Sequence, residues 1–165
     1  MKERIGEKMN KDTEFLIELV KNASLLINDE FQVKAKGNNG DLVTNFDLEI
    51  EEYMIKEIKS SYPEFSIVSE EYNAENDLTD NCFIIDPIDG TINFAHNLPL
   101  WGIQVACVRD SKTCAAVIYL PKLNELYYAD ETGAYLNDKQ IFVNQLDTTK
   151  GLYTIEAANK LPAQV

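Results

Sequence analysis

Apolar residues first fall into a pattern between about Asp12 and Asp29, where Phe15, Leu16, Leu19, Val20, Ala23, Leu26 and Ile27 recur every three or four positions. That spacing predicts a helix with one apolar stripe, and Asp12 or Thr13 is placed to cap its start. The period is lost over Lys34-Ala35-Lys36-Gly37-Asn38-Asn39-Gly40-Asp41, whose turn-forming residues predict a flexible loop. A second helix is predicted from about Asn45 to Ser61. Leu48, Ile50, Tyr53, Met54 and Ile58 are assigned to its apolar side, and Glu49, Glu51, Glu52 and Glu57 to its solvated face. Pro63 lies just beyond the expected stop.

The pattern then becomes that of strands. Phe65-Ser66-Ile67-Val68 alternates and delivers Ser69, Glu70 and Glu71 to its end, before a polar surface loop from Tyr72 to Asn81. Phe83-Ile84-Ile85 is continuously apolar and predicts a fully buried strand over 82–85. Gly102–Val108 and Cys114–Leu120 are expected to pair around Asp110-Ser111-Lys112. Glu125–Ala129 and Gly133–Leu136 extend the series, and Asn137-Asp138 is a hairpin turn into Ile141-Phe142-Val143. Helices first and a meander afterwards predict an α+β fold, with two amino-terminal helices packed on a mostly antiparallel sheet. No repeat, low-complexity tract or Pro/Gly/Ser-rich linker divides the chain, so residues 1–165 are expected to form one domain.

Composition narrows the function. A hydrophobic fraction of 45% supports a real core rather than disorder. The net charge of −13 disfavours a nucleic-acid partner. It also repels phosphate ligands unless a bound cation reverses the sign locally. No apolar run reaches the roughly 18 residues of a membrane span, and Met1-Lys2-Glu3-Arg4 leads into no signal-peptide core, so no membrane association is expected. Cys82, Cys107 and Cys114 are odd in number and form no Cys-x-x-Cys, which fits reduced thiols in a cytoplasmic protein. His96 is the only histidine, so a Ser-His-Asp triad would depend on it, and a surface or structural role suits it better.

The chemistry concentrates at Cys82-Phe83-Ile84-Ile85-Asp86-Pro87-Ile88-Asp89-Gly90-Thr91-Ile92-Asn93-Phe94. Asp86 and Asp89 are expected on a loop just past a strand end, with Glu70 past another. Two unit charges 4 Å apart repel by about 4 kcal/mol at an effective dielectric near 20. Several such pairs rival a domain's whole stability of roughly 5–15 kcal/mol. Converging acids must therefore hold protons, splay apart or bind cations. Oxygen-only ligands suit Mg²⁺, and the Ile88 carbonyl offers another oxygen between the two aspartates; with no Cys or His beside them, zinc is less attractive. Gly90-Thr91 can open a helical turn whose free N–H groups hold phosphate, or can simply cap that turn. An ordinary acidic turn satisfies the same spacing.

The Asp86–Phe94 string resembles the signature of the inositol monophosphatase family, Mg²⁺-dependent and lithium-sensitive phosphomonoesterases. Gly40-Asp41-Leu42-Val43-Thr44-Asn45-Phe46-Asp47 is similar to the family's Asp-Leu-Val-Thr-x-x-Asp stretch. The segment Tyr62–Glu71 resembles its strand ending in Gly-Glu-Glu, with Ser69 in place of the usual Gly, and Gly133-Ala134-Tyr135-Leu136-Asn137 its Gly-Ala-x-x-Asn hairpin. The resemblance implies the first half of the layered α/β sandwich of the sugar-phosphatase type. It implies two or three Mg²⁺ ions: Glu70, Asp86 and the Ile88 carbonyl hold the first, Asp86 bridges to a second held also by Asp89, and Glu70 shares a third. Asp47 and Thr91, with Glu70, would serve catalysis by orienting and activating water. Asp89, Gly90, Thr91 and Lys36 would contact the substrate, Lys36 from a loop that closes over the site. Asp47 is equally placed to cap the second helix, and Glu71 is expected to be solvated or to support the metal ligands.

Trp101 is followed by Gly102, so the Trp-Asp dipeptide that completes the family's second metal shell is not among these 165 residues. The resemblance thus covers the amino-terminal portion of such an enzyme. It implies weakened Mg²⁺ binding and activity, an exposed apolar patch near the carboxyl end, and a homodimer acting on a small phosphorylated metabolite. The alternatives are a non-catalytic module that binds divalent metal, or a structural fragment that pairs with another subunit.

Overall fold

The computed structural model describes residues 9–28, 32–36, 41–73 and 76–144. The first helix, α1, spans Lys11–Ser24, shorter at its end than the apolar stripe suggested. Its cap is Asn10, whose side chain accepts from the Asp12 N–H at 2.8 Å. Asp12, expected as a cap, is instead drawn into tertiary structure. Its carboxylate takes the Nε and a terminal nitrogen of Arg109 at 2.8 and 2.9 Å, and the Tyr62 hydroxyl at 2.8 Å. These bonds, that from Arg109 foremost, hold the Asp12 carboxyl below its ordinary range. Arg109 also lies over the Phe65 ring, 4.7 Å from its centroid.

The stretch expected to be a loop is largely a hairpin. β1 (Val33–Lys36) pairs antiparallel with β2 (Asp41–Thr44), and the tip, 37–40, lies outside the described residues. The second helix, α2 (Asn45–Ser61), has the boundaries its sequence predicts. Its start is a reciprocal capping box between Thr44 and Asp47. Two assignments of its faces are corrected. Leu48 is 37% exposed and Glu51 fully buried. Positions 47, 50, 51, 54 and 58 share one helix face by spacing, so Glu51 goes inward with Ile50 and Met54.

Seven strands form the main sheet in the order of the chain: β3 (Ser66–Ser69), β4 (Cys82–Asp89), β5 (Gly102–Arg109), β6 (Lys112–Leu120), β7 (Glu125–Asp130), β8 (Gly133–Leu136) and β9 (Lys139–Ile141). β3 and β4 are parallel and the other neighbours antiparallel. A short helix, α3 (Thr91–Ala95), lies between β4 and β5. Asn137 and Asp138 both take positive φ, the left-handed pair that a tight hairpin between β8 and β9 needs. The last strand ends at Ile141, earlier than expected, and Phe142 and Val143 beyond it are exposed.

Alternation along the strands sends Ile67, Phe83, Ile85, Val105, Cys107, Ala115 and Val117 into the core with Leu16, Val20, Ile50 and Met54 of the helices. The strand register aligns the intervening positions Val68, Ile84, Ala106, Ala116, Ala129, Ala134 and Ile141 in one row across all seven strands. Ile84 in this row is 38% exposed, which corrects the expectation of a fully buried run: α1 and α2 cover only the other face. The three cysteines are free thiols. Among the described residues, no helix is long and apolar enough to cross a membrane.

Replacing Asp12 by Ala removes the acceptor for both Arg109 and Tyr62 in a partly buried setting, and is expected to cost about 1–3 kcal/mol. Urea denaturation of the variant measures this, and a midpoint equal to the parent's would contradict the role assigned to the cluster.

Candidate metal centre

Parallel pairing brings the acids to the same end of the sheet. Ser69 of β3 lies opposite Ile85 of β4, so Glu70 leaves β3 beside Asp86. Asp86 and Asp89 are not on a loop past the strand, as expected from sequence, but within its last four residues. The reason is a bulge. Asp86 faces Gln104 and Asp89 faces Gly102, so Pro87 and Ile88 together oppose Ile103. Pro87, which has no N–H to give the ladder, sits at this irregularity.

Gly90 follows at φ 87°, a left-handed conformation, and a Cβ there would lie 3.1 Å from the Leu100 carbonyl oxygen. The turn leads into α3, where the Thr91 hydroxyl has two acceptors, the Ile88 carbonyl at 3.0 Å and Asp47 Oδ1 at 3.3 Å. Asp47 divides its two oxygens. Oδ2 accepts from the Thr44 N–H at 2.7 Å and the Thr44 hydroxyl at 2.5 Å, while Oδ1 faces Thr91. Capping α2 and meeting Thr91 are therefore compatible. Burial raises the Asp47 pKa above the usual carboxylate value, against the pull of its Thr44 bonds.

Asp86 carries the electrostatic strain. Burial, and then the charges of Glu70, Asp89 and Asp47, push its pKa from 3.8 up to about 7. Its Oδ1 is buried without a hydrogen-bond partner; among the described residues, only the indole N–H of Trp101 shares that condition. Asp89 accepts from the Gln104 amide. A partnerless buried oxygen among repelling carboxylates, with the Ile88 carbonyl nearby, is an oxygen-only donor set that fits Mg²⁺.

Of the remaining expected site residues, Lys36 ends β1 opposite Asp41. The rest of its loop, 37–40, lies outside the described residues. His96 is exposed and closes the end of α3, its Nδ1 2.8 Å from the Ile92 carbonyl oxygen. Sequence reasoning missed Glu51. Oε1 accepts from the Ser69 hydroxyl at 2.5 Å and the Tyr72 N–H at 2.7 Å, and Oε2 accepts from the Glu71 N–H at 2.8 Å. Its place in the helical stripe was the available signal; its charge concealed it. Among the described residues, the set of three possible ligands whose donor atoms all lie within 4.8 Å of one another is Asp12, Cys107 and Cys114, not Glu70, Asp86 and Asp89; there Asp12 is already occupied by Arg109 and Tyr62.

The sequence model of the inositol monophosphatase family matches residues 8–161. A fructose-1,6-bisphosphatase/inositol-1-monophosphatase of Thermotoga maritima is 40% identical over 114 residues, which are 68% of this chain and 44% of that protein. Human inositol monophosphatase 1 is 37% identical over 136 residues, 79% of this chain and 49% of its own length. Among solved structures, the Thermotoga maritima IMPase superposes with a TM-score of 0.74 at 33% identity, covering 82% of this chain and 55% of that one. An IMPase/NADP phosphatase complexed with Mg²⁺ and phosphate superposes with a TM-score of 0.68 at 27% identity, covering 77% and 49%. The chain belongs to the inositol monophosphatase family. It spans about half the length of the curated relatives it matches.

The charge cluster sets a pH dependence. Folded Asp86 keeps its proton up to about pH 7, against an ordinary value of 3.8, so between those values the folded state binds more protons than the unfolded. Stability of the metal-free chain should therefore fall as pH rises through that window, with raised Asp47 adding in the same direction. Asp12 and Asp130 are shifted the other way and act below it. Urea midpoints in a chelator, taken near both ends of the window, should show the fall in the parent and a much flatter response in Asp86→Asn. A parent whose stability rises across the window would refute the assignment.

Proposed function

We propose that this chain carries the metal-binding half of a Mg²⁺-dependent, lithium-sensitive hydrolase of small phosphate monoesters. The observation that carries this is the buried, partnerless Oδ1 of Asp86, set among the charges of Glu70, Asp89 and Asp47. The names of the relatives support the substrate class, since inositol monophosphates and fructose 1,6-bisphosphate are both phosphate monoesters.

In this reading Glu70, Asp86, Asp89 and the Ile88 carbonyl would hold Mg²⁺. Bound there, the ion would supply an activated water and charge neutralisation at the phosphoryl group. The chain's own residues then have separate tasks. With the Ile88 carbonyl turned to the metal, Asp47, fixed by Thr44, would accept the hydrogen bond of the Thr91 hydroxyl, which would leave the lone pairs of Thr91 Oγ1 to accept from and orient a water. Gly90 and Thr91 would offer main-chain N–H groups to phosphate oxygens, and Lys36, at the end of β1, would add a positive charge. Cation binding at the carboxylates makes an acidic protein receptive to an anionic substrate. Three free thiols support a reducing, cytoplasmic setting.

Purified chain incubated with inositol monophosphate is expected to release phosphate only with Mg²⁺, to be inhibited by Li⁺, and to lose about tenfold or more of its rate in Asp86→Asn, as metal-shell changes commonly do. Equal release in a chelator would defeat the proposal. Stabilisation by Mg²⁺ with no phosphate released would favour a metal-binding module instead.

A further inference from the structure

We propose that Glu51 is a positioning residue for the metal centre: from the buried face of α2 it anchors the Ser69–Tyr72 segment and thereby holds Glu70 at Asp86. This rests on the functional reading above, in which Glu70 is a metal ligand. Glu70 itself is exposed and lies past the end of β3, so the strand ladder alone does not fix it. Its neighbours are held by Glu51. Ser69 and Glu71, on either side of Glu70, and Tyr72 beyond it all donate to the one Glu51 carboxylate, at 2.5, 2.8 and 2.7 Å. Asn73 ties back to the Ser69 hydroxyl at 3.1 Å.

A carboxylate suits this task because it only accepts, and three donors converge on it. A Gln of the same shape would turn an NH₂ toward at least one of those donors. Ser69 stands where the family pattern has Gly, and its hydroxyl supplies one of the three bonds, so this chain has a tether that a glycine cannot provide. Groups that orient metal ligands in this way typically change metal affinity 10–100-fold when removed.

The test is Mg²⁺ titration calorimetry on the whole chain, with circular dichroism to confirm folding. Glu51→Gln should bind Mg²⁺ about 10–100-fold more weakly while folded, and Ser69→Ala should weaken binding in the same direction by less. If Glu51 acts through Glu70, the Glu51→Gln/Glu70→Gln pair should bind no more weakly than Glu70→Gln alone. Additive losses would show a merely structural role and overturn the proposal, as would parental affinity in folded Glu51→Gln. A parent chain with no saturable Mg²⁺ binding would overturn the functional reading together with this one. Should Glu51→Gln fail to fold, amide hydrogen exchange in the parent decides: the Glu71 and Tyr72 amides should be protected, although Tyr72 is 55% exposed. Exchange at the rate of unstructured peptide would overturn the proposal.

Discussion

Mutual repulsion of carboxylates at one end of the sheet is the constraint around which this chain is built. Parallel pairing of β3 with β4 forces Glu70 and Asp86 to leave neighbouring strands at the same edge. The bulge in β4 keeps Asp89 in the same neighbourhood. Two further carboxylates, Asp47 and Glu51, are buried one turn apart on α2. Unlike the Oδ1 of Asp86, both are supplied with donors: Thr44 serves the first, and Ser69 with two main-chain amides serves the second. Asp47, Glu51 and Asp89 are thus supplied with donors by the protein, and the Oδ1 of Asp86 is not.

A second network, centred on Asp12 in the first turn of α1, does the opposite. Asp12 is held by Arg109 and Tyr62, with Phe65 and Phe83 packed against the Tyr62 ring. Charge there is compensated within the protein, so nothing further is required to bind. Acids alone do not define a metal centre; the difference between the two networks is one buried carboxylate oxygen, the Oδ1 of Asp86, that the described residues leave without a donor.

Much of this was legible in the sequence. The boundaries of α2 follow from its apolar period and Pro63, and the meander from β5 onward follows from strand patterns broken at Asp110-Ser111 and Asn137-Asp138. Family membership followed from the Asp86–Phe94 string. The failures have a common physical origin. Glu51 was placed outside because it is charged, yet helical geometry turns position 51 inward regardless of residue type, and donors from a segment 18 to 21 residues away remove the penalty of burial. Ile84 was placed inside because it is apolar, yet period-two alternation sends it to the uncovered face. The β1–β2 hairpin was hidden because Lys34–Asp41 is dense in turn-forming residues, while pairing depends on main-chain groups that carry no sequence signal.

The Glu51 bonds also bear on the order of assembly. Helix α2 can form locally, on the sub-microsecond scale of helix–coil change, without any of the three donors in place. Those donors arrive only when β3 has joined β4 and the helix has docked on them. The geometry of the acidic end is therefore among the last features to mature and among the first to be lost when the helix lifts from the sheet.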